Sequence, residues 1–297
     1  MISYAKEGVL LACVLLFTAC VAIPDPPSPD LLVTWDIQSA YATGVDLDIS
    51  AYTSNPRSID FTPDGSKMFV VGRGTENIVE YTLSVPWDLN TAEYTAEFDI
   101  SDDMGSASQS SSAAHGLFFN KDSGTDMFVF NRNEIWQYEL TNPWDITSAS
   151  QTNYLDLSDT ISRGHDIHFA PDGKRMYVED RNNQAVYEYS LSTPWNVETL
   201  NLVYTLDISD EENAVRGIEL NPDGTRMWLM DTGRREILQY DLHTPWHIES
   251  AQLHTTFDVS AQAGNPRGIT WRANGEAFYV TETSEQHIYE YAIEQNP

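Results

Sequence analysis

Apolar and polar residues alternate in short runs along most of the chain. Val79, Tyr81 and Leu83 share one face of such a run, and Trp136, Tyr138 and Leu140, then Tyr187, Tyr189 and Leu191, repeat the pattern further on. A period of two belongs to strands rather than helices. The clearest stretch starts at His165 and continues to Ala170, turns at Pro171-Asp172-Gly173, resumes from Arg175 to Val178, crosses a polar loop from Glu179 to Gln184, and gives two more runs, Val186–Leu191 and Leu202–Ile208, on either side of Trp195. It predicts four short strands. The Pro-Asp-Gly turn also stands at 63–65 and 222–224, and it degenerates to Lys121-Asp122-Ser123-Gly124 and Ala273-Asn274-Gly275. In every copy the Asn/Asp and Gly chemistry of a tight hairpin survives.

The stretch Ser192-Thr193-Pro194-Trp195-Asn196-Val197 recurs in near copy around Trp35, Trp87, Trp144 and Trp246, each followed by a triplet like Asp207-Ile208-Ser209. The chain is therefore a repeat of about fifty residues, and four strands per repeat can stack as a solenoid or close as a propeller. The ends of the sequence decide. The final repeat stops after Ile288–Ile293 with no tryptophan loop and no fourth strand, and those missing parts stand at the other end, at Thr34–Ile37 and Val45–Ser50. A ring uses a split repeat to close and to remove its strand edges. The prediction is an all-β fold: a five-bladed β-propeller over residues 31–297 with four antiparallel strands per blade, in which the N-terminal strand completes the last blade.

Arg-Gly-Ile followed by Pro-Asp-Gly-Thr-Arg-Met-Trp-Leu, at 216–229, and its counterpart at 165–178 resemble the repeats of surface-layer and lactonase-like (YVTN-type) propellers. The loop Leu191-Ser-Thr-Pro-Trp-Asn196 is similar to a repeat of bacterial cell-surface propeller proteins. This resemblance covers residues 31–297 and implies the propeller fold. It leaves two activities open, a binding or scaffold module and a lactonase-like hydrolase.

Composition narrows the partners. The chain has 297 residues, 41% of them hydrophobic, and a formal net charge of −29 from 45 acidic and 16 basic side chains. That charge argues against duplex nucleic acid and anionic lipid surfaces as partners. Residues 8–19 are apolar but too short to span a bilayer, and Phe17-Thr18-Ala19-Cys20 resembles a bacterial lipobox. The expectation is a lipoprotein signal peptide at 1–19, an acylated Cys20, a Pro-rich tether at 20–30, and a monomeric protein anchored to the membrane in the bacterial cell envelope, periplasmic or on the outer surface. A plain secretory signal is the alternative. Cys13 and Cys20 are the only cysteines, so no disulfide is expected in the mature chain.

Strand order sorts the loops into two rims. Pro-Asp-Gly turns and tryptophan loops share one; the links between blades and the loops between second and third strands share the other, with the start of each innermost strand. Arg57, His115, His165, Arg216 and Arg267 stand at those starts, one per blade, and are the candidate ligand-binding residues. Nine of the twelve arginines fall on this rim, interspersed with carboxylates such as Asp180 and Asp231. Guanidinium forks in that setting suit a carbohydrate or small carboxylate, and a protein partner is also open. The bland alternative is that these side chains only tie blades together, with Asp166 and Asp60 offsetting the charge. The long Ser-rich link from Ser101 to Ala114 is a candidate flap beside the mouth. The repeated tryptophans are expected to cap the rim by packing, with a stacking platform for sugars as the alternative, and Met68, Met127, Met176 and Met227 to fill the core.

No nucleophile elbow, phosphate loop or metal-protease motif appears in the sequence. Asp60, Asp166, His168 and Glu219 are the weaker catalytic candidates, because they break the repeat on innermost strands. Paired carboxylates there would suit a glycosidase-like hydrolase, and His with a carboxylate could hold a divalent metal for lactone opening. No cofactor is expected otherwise. A non-catalytic binding propeller is the leading reading, and a hydrolase using the same mouth is the alternative.

Overall fold

A computed structural model of the protein describes residues 34–104, 113–211 and 214–295. The expected signal peptide, Cys20 and the whole of the expected tether, together with 105–112 of the candidate flap, lie outside the described residues. Each alternating run is a strand. The chain lays down β1 (Ala40–Asp48), then the first blade from β2 (Pro56–Phe61), β3 (Lys67–Gly72), β4 (Asn77–Leu83) and β5 (Ala92–Asp99). The second blade is β6 (Gly116–Phe119), β7 (Asp126–Asn131), β8 (Glu134–Leu140) and β9 (Ala149–Asp156), and the third β10 (Gly164–Phe169), β11 (Arg175–Asp180), β12 (Ala185–Leu191) and β13 (Leu200–Asp207). The fourth is β14 (Val215–Leu220), β15 (Arg226–Asp231), β16 (Glu236–Leu242) and β17 (Ala251–Asp258), and β18 (Pro266–Trp271), β19 (Ala277–Glu282) and β20 (His287–Ile293) begin the fifth.

These form five four-stranded antiparallel sheets, a five-bladed propeller, and the fifth sheet runs β1-β20-β19-β18. Ala40 stands opposite Ile293 and Asp48 opposite His287, so the N-terminal strand completes the last blade as the split repeat predicts. Burial follows position in the blade. Inner strands such as β2, β10 and β18 are buried at every residue because neighbouring sheets cover both faces, whereas the outermost β5 alternates half-buried and exposed. The core lies between sheets. Phe69 of the first blade packs with Phe119, Met127 and Tyr138 of the second, and Met68, Met127, Met176 and Met227 are fully buried filler.

The tryptophan rim is held by one device used five times. Gly65, Gly124, Gly173, Gly224 and Gly275 have φ between 66° and 72°, and a Cβ on any of them would come within 2.2–2.4 Å of the indole of Trp87, Trp144, Trp195, Trp246 or Trp35. Glycine is required there twice over, for backbone conformation and for space. The tryptophans themselves lie at φ of 60–68°, a region bulky residues avoid unless the surroundings hold them. Two sets of bonds do so. Each Trp N–H donates to the carbonyl of its glycine at 2.8–3.0 Å. Four of the Trp carbonyls accept from an adjacent blade: Trp144 from Lys67 Nζ (2.9 Å), Trp246 from Tyr177 Oη (2.6 Å), Trp35 from Arg226 Nη1 (2.6 Å) and Trp87 from Tyr279 Oη (2.7 Å). The tryptophans thus pack the rim and fasten blade to blade.

Near the axis the innermost strands touch. A Cβ on Gly217 would lie 2.5 Å from the Arg267 carbonyl oxygen, and one on Gly268 2.5 Å from that of Arg57. Five blades leave little room at mid-height, and the residues there are small (Ser58, Gly116, Gly217, Gly268) or, in the third blade, the buried Asp166.

Candidate functional site

The side chains at the head of the innermost strands are Arg57, His115, His165, Arg216 and Arg267, as the repeat predicts. In four of the five blades the strand carries an irregularity at this point, between Pro56 and Ile59, Gly164 and Ile167, Val215 and Ile218, and Pro266 and Ile269. Such bulges re-aim side chains at rims and sites. Arg57 and Arg267 are only 8% exposed, His115 4% and His165 2%.

Burial and mutual repulsion dominate the electrostatics. Burial, and then Arg73, Arg216 and Arg163, push Arg57 down to about 9. Burial, and then Arg216, Arg57 and Arg181, push Arg267 down to about 8, and burial followed by Arg181 takes Arg216 to about 10. Guanidinium keeps its proton in proteins, so these displacements measure how unfavourable the cations are in their present surroundings. Burial, reinforced by the nearby arginines, holds both His115 and His165 well below the ordinary imidazole range. They are neutral at pH 7. His165 Nε2 lies 3.3 Å from Arg216 Nη1; an arginine only donates, so Nε2 accepts and the proton sits on Nδ1, which faces Glu179 Oε2 at 3.8 Å. The two imidazoles meet edge to face with centroids 4.8 Å apart.

The carboxylates answer this charge only in part: Glu179 favours the Arg216 cation and Glu282 that of Arg267, each by less than burial and the leading arginine repulsion oppose it. Asp180 accepts from the backbone N–H groups of Ser162 (2.6 Å), Arg163 (3.0 Å) and Asn182 (2.8 Å), and Asp231 from those of Ala214 (3.0 Å) and Gly233 (2.7 Å). They shape loops. Asp166 and Glu179 are buried and pushed well up toward the neutral acid, chiefly by desolvation. Asp60, expected to share in the offset, is ion-paired with Lys121 and also accepts from Phe61 N (2.8 Å) and Phe119 N (3.1 Å). Among the described residues the arginine ion pairs are Arg175–Glu188, Arg226 with Asp36 and Asp241, and Arg234–Asp231. Only Arg234–Asp231 lies on the arginine rim, and none involves Arg57, Arg216 or Arg267. The Nε groups of Arg57, Arg73, Arg132, Arg163, Arg216 and Arg267 are buried with no hydrogen-bond partner. Such a cluster can hold an anion through charge-assisted forks.

The structure separates the weaker catalytic candidates from this mouth. Asp60, His168 and Glu219 line a cavity of ≈ 230 Å³ at the opposite, tryptophan mouth, and Asp166 lies between the two ends. The expectation of a hydrolytic site using all four beside the arginines is corrected by strand geometry. Three residues of strand advance by about 10 Å, so Asp60 stands a third tier below Arg57. His168 Nδ1 is 3.3 Å from Glu219 Oε2. Lys121 was not singled out in the sequence, although its signal was present where Lys121-Asp122 replaces the Pro-Asp of the standard turn. Among the described residues no group of three or more His, Cys, Asp or Glu side chains is placed to hold a metal ion.

No family model and no curated protein matches the chain. Solved structures match it in fold. It is similar to the Cps50 (Swd1) β-propeller domain of Myceliophteria thermophila (8% identity, TM-score 0.50, 86% of this chain and 100% of that one) and to a protein from Lactobacillus plantarum (11% identity, TM-score 0.50, 80% and 67%). A proposed 6-phosphogluconolactonase from Bacteroides uniformis also aligns (15% identity, TM-score 0.49, 81% and 67%). The chain spans 55–67% of the length of four bacterial structures that it matches. At these identities the likeness concerns the β-propeller architecture alone.

Proposed function

We propose that the protein is a non-catalytic binding propeller whose arginine mouth receives a small anion, a carboxylate or an acidic sugar. One observation carries the reading: buried guanidiniums converge with two neutral imidazoles, while Asp180 and Asp231 are committed to backbone amides and Glu179 is desolvated. An anion would supply the missing counter-charge. The net charge of −29 disfavours polyanions at long range and leaves small ligands as the class that fits. Placement of Asp60, His168 and Glu219 at the other end takes three of the four catalytic candidates away from this mouth, which supports binding over hydrolysis there. The lipobox-like Phe17–Cys20 supports a tether to the bacterial envelope.

The test is calorimetric titration with citrate and with D-glucuronate. Wild type should bind one of them. Arg216→Ala with Arg267→Ala should weaken that binding at least about a hundredfold, since each lost charge-assisted hydrogen bond is worth roughly 1.5–3 kcal/mol. Failure of wild type to bind any small anion, with a large loss of stability in the double variant, would make the arginine ring a clasp between blades.

A further inference from the structure

The tryptophan mouth has a chemistry of its own. Asp60, Phe118, His168, Glu219 and Thr270 occupy one position of the fivefold repeat, yet no two are alike. One residue earlier every blade carries an aliphatic side chain, Ile59, Leu117, Ile167, Ile218 or Ile269, each 1–3% exposed. The repeat keeps its residue type where packing dictates it. It diverges where the side chains border the ≈ 230 Å³ cavity.

Four of the five repeated indoles, Trp35, Trp87, Trp195 and Trp246, wall that cavity. At the fifth, Lys121 intervenes. Its ammonium, held by Asp60 and by the Phe61 carbonyl at 2.8 Å, lies 5.7 Å from the centre of the Phe118 ring and 6.0 Å from that of Trp144. His168 and Glu219 face each other at 3.3 Å without satisfying hydrogen-bond geometry at Nδ1, and the Glu219 side chain is 20% exposed. The floor thus presents donors (Lys121, His168, Thr270) beside an acceptor (Glu219), under apolar walls of fixed orientation.

We propose that the tryptophan mouth is a second binding site, for a neutral pyranose ring, either free or as the terminal residue of a glycan. Flat indole faces suit the C–H faces of a sugar ring, and mixed donors and acceptors suit hydroxyls, which both give and receive. Charge selects against the other ring-sized ligands. An organic cation would seek the aromatic faces, but the Lys121 ammonium that lines the same cavity repels it. An anion would meet Glu219 and Asp60 in a chain of net charge −29. The site shares no residue with the arginine mouth, so either reading can fail alone.

Intrinsic tryptophan fluorescence of the full chain, titrated with the methyl glycosides of glucose, galactose, mannose and N-acetylglucosamine, tests it, with choline as a charged control. At least one pyranoside should bind with a Kd of about 1 mM or tighter. His168→Ala and Glu219→Gln should each weaken it at least about tenfold at an unchanged melting temperature, and saturating citrate should not displace it. Thr270→Val is the third arm, should either of those variants melt early. A glycan array separates the sources: retention by immobilised glycans without binding of the methyl glycosides points to a glycan terminus, and binding of both to the sugar itself. The proposal is overturned by no binding in either format, by preference for choline, by indifference to all three substitutions, or by displacement with citrate.

Discussion

Replacing Arg267 by Met should make the protein more stable and less able to bind an anion. Arg267 is 8% exposed and is pushed from 12.5 to about 8 by burial and by Arg216, Arg57 and Arg181. At 1.36 kcal/mol per pKa unit that displacement sets a ceiling of about 6 kcal/mol on the cost of keeping the cation there. Water penetration and side-chain relaxation return much of it, leaving about 3 kcal/mol. Methionine fills the volume of the aliphatic stem and removes the charge, at the loss of the Nη1 bond to the Pro266 carbonyl (3.2 Å), worth about 1 kcal/mol. The net gain is about 2 kcal/mol, or roughly 4–8 °C in Tm for a domain of this size. Citrate reverses the order. At a hundred times its Kd an anion stabilises wild type by about 2.7 kcal/mol by mass action, and the variant should gain less than about a quarter of that, which leaves it below wild type. Calorimetric melting of both proteins with and without citrate measures all four states. A variant that melts below wild type in the absence of anion would refute the reasoning, because it would show that the guanidinium is already satisfied.

His115 and His165 are held neutral in the fold, whereas in the unfolded chain they titrate near 6.5. Below that pH the unfolded chain binds more protons, so stability falls on acidification; Asp166 and Glu179, whose folded values are raised, act in the opposite sense. Between pH 6.5 and 5.5 wild type should therefore lose about 1 kcal/mol per histidine relative to His115→Gln/His165→Gln, and parallel melting curves would show that the imidazoles are not kept neutral. Gly173→Ala meets Trp195 at 2.4 Å and needs φ of +66°, so it should cost about 3 kcal/mol and alter the near-ultraviolet signal of the tryptophans; wild-type melting would dismiss the clasp. Deleting residues 31–50 removes β1, bares β20 and should give an insoluble or protease-sensitive product, unless the ring closes some other way and the truncated chain melts normally. Cys20→Ser should release the protein from the membrane fraction, and retention there would count against acylation.

Architecture was legible because the propeller's unit is local: alternation, Pro-Asp-Gly and the tryptophan loop each report on a few neighbouring residues, and the split repeat reports ring closure. The arginine tier was legible for the same reason. Its electrostatics were not. Asp180 and Asp231 look like counter-ions in composition, yet Asp180-Arg181-Asn182 and Asp231-Thr232-Gly233 are turn sequences whose carboxylates fold back on backbone amides. That signal was readable and outweighed by charge counting. The neutral state of His115 and His165 depends on burial from several blades, which no local pattern carries. The separation of Asp60, His168 and Glu219 from the arginines follows from the rise per residue of a strand, whereas membership of the innermost strand alone does not distinguish its two ends. The left-handed backbone of the five tryptophans opposes local preference and appears only when glycine, indole and the adjacent blade are seen together.

The contact of innermost strands at mid-height separates the two faces of this propeller's disc. Gly217 and Gly268 are pressed against the carbonyls of Arg267 and Arg57, so these neighbouring inner strands meet backbone to backbone between the two faces. Each inner strand then works as a two-headed bracket, presenting one functional group at its first residues and another at its last. The two heads can be rewritten separately, because the backbone between them fixes their spacing and screens their chemistry. A single repeat unit thereby furnishes two faces that an engineer could retune independently, exchanging the cationic face for another receptor while the aromatic one stays as it is.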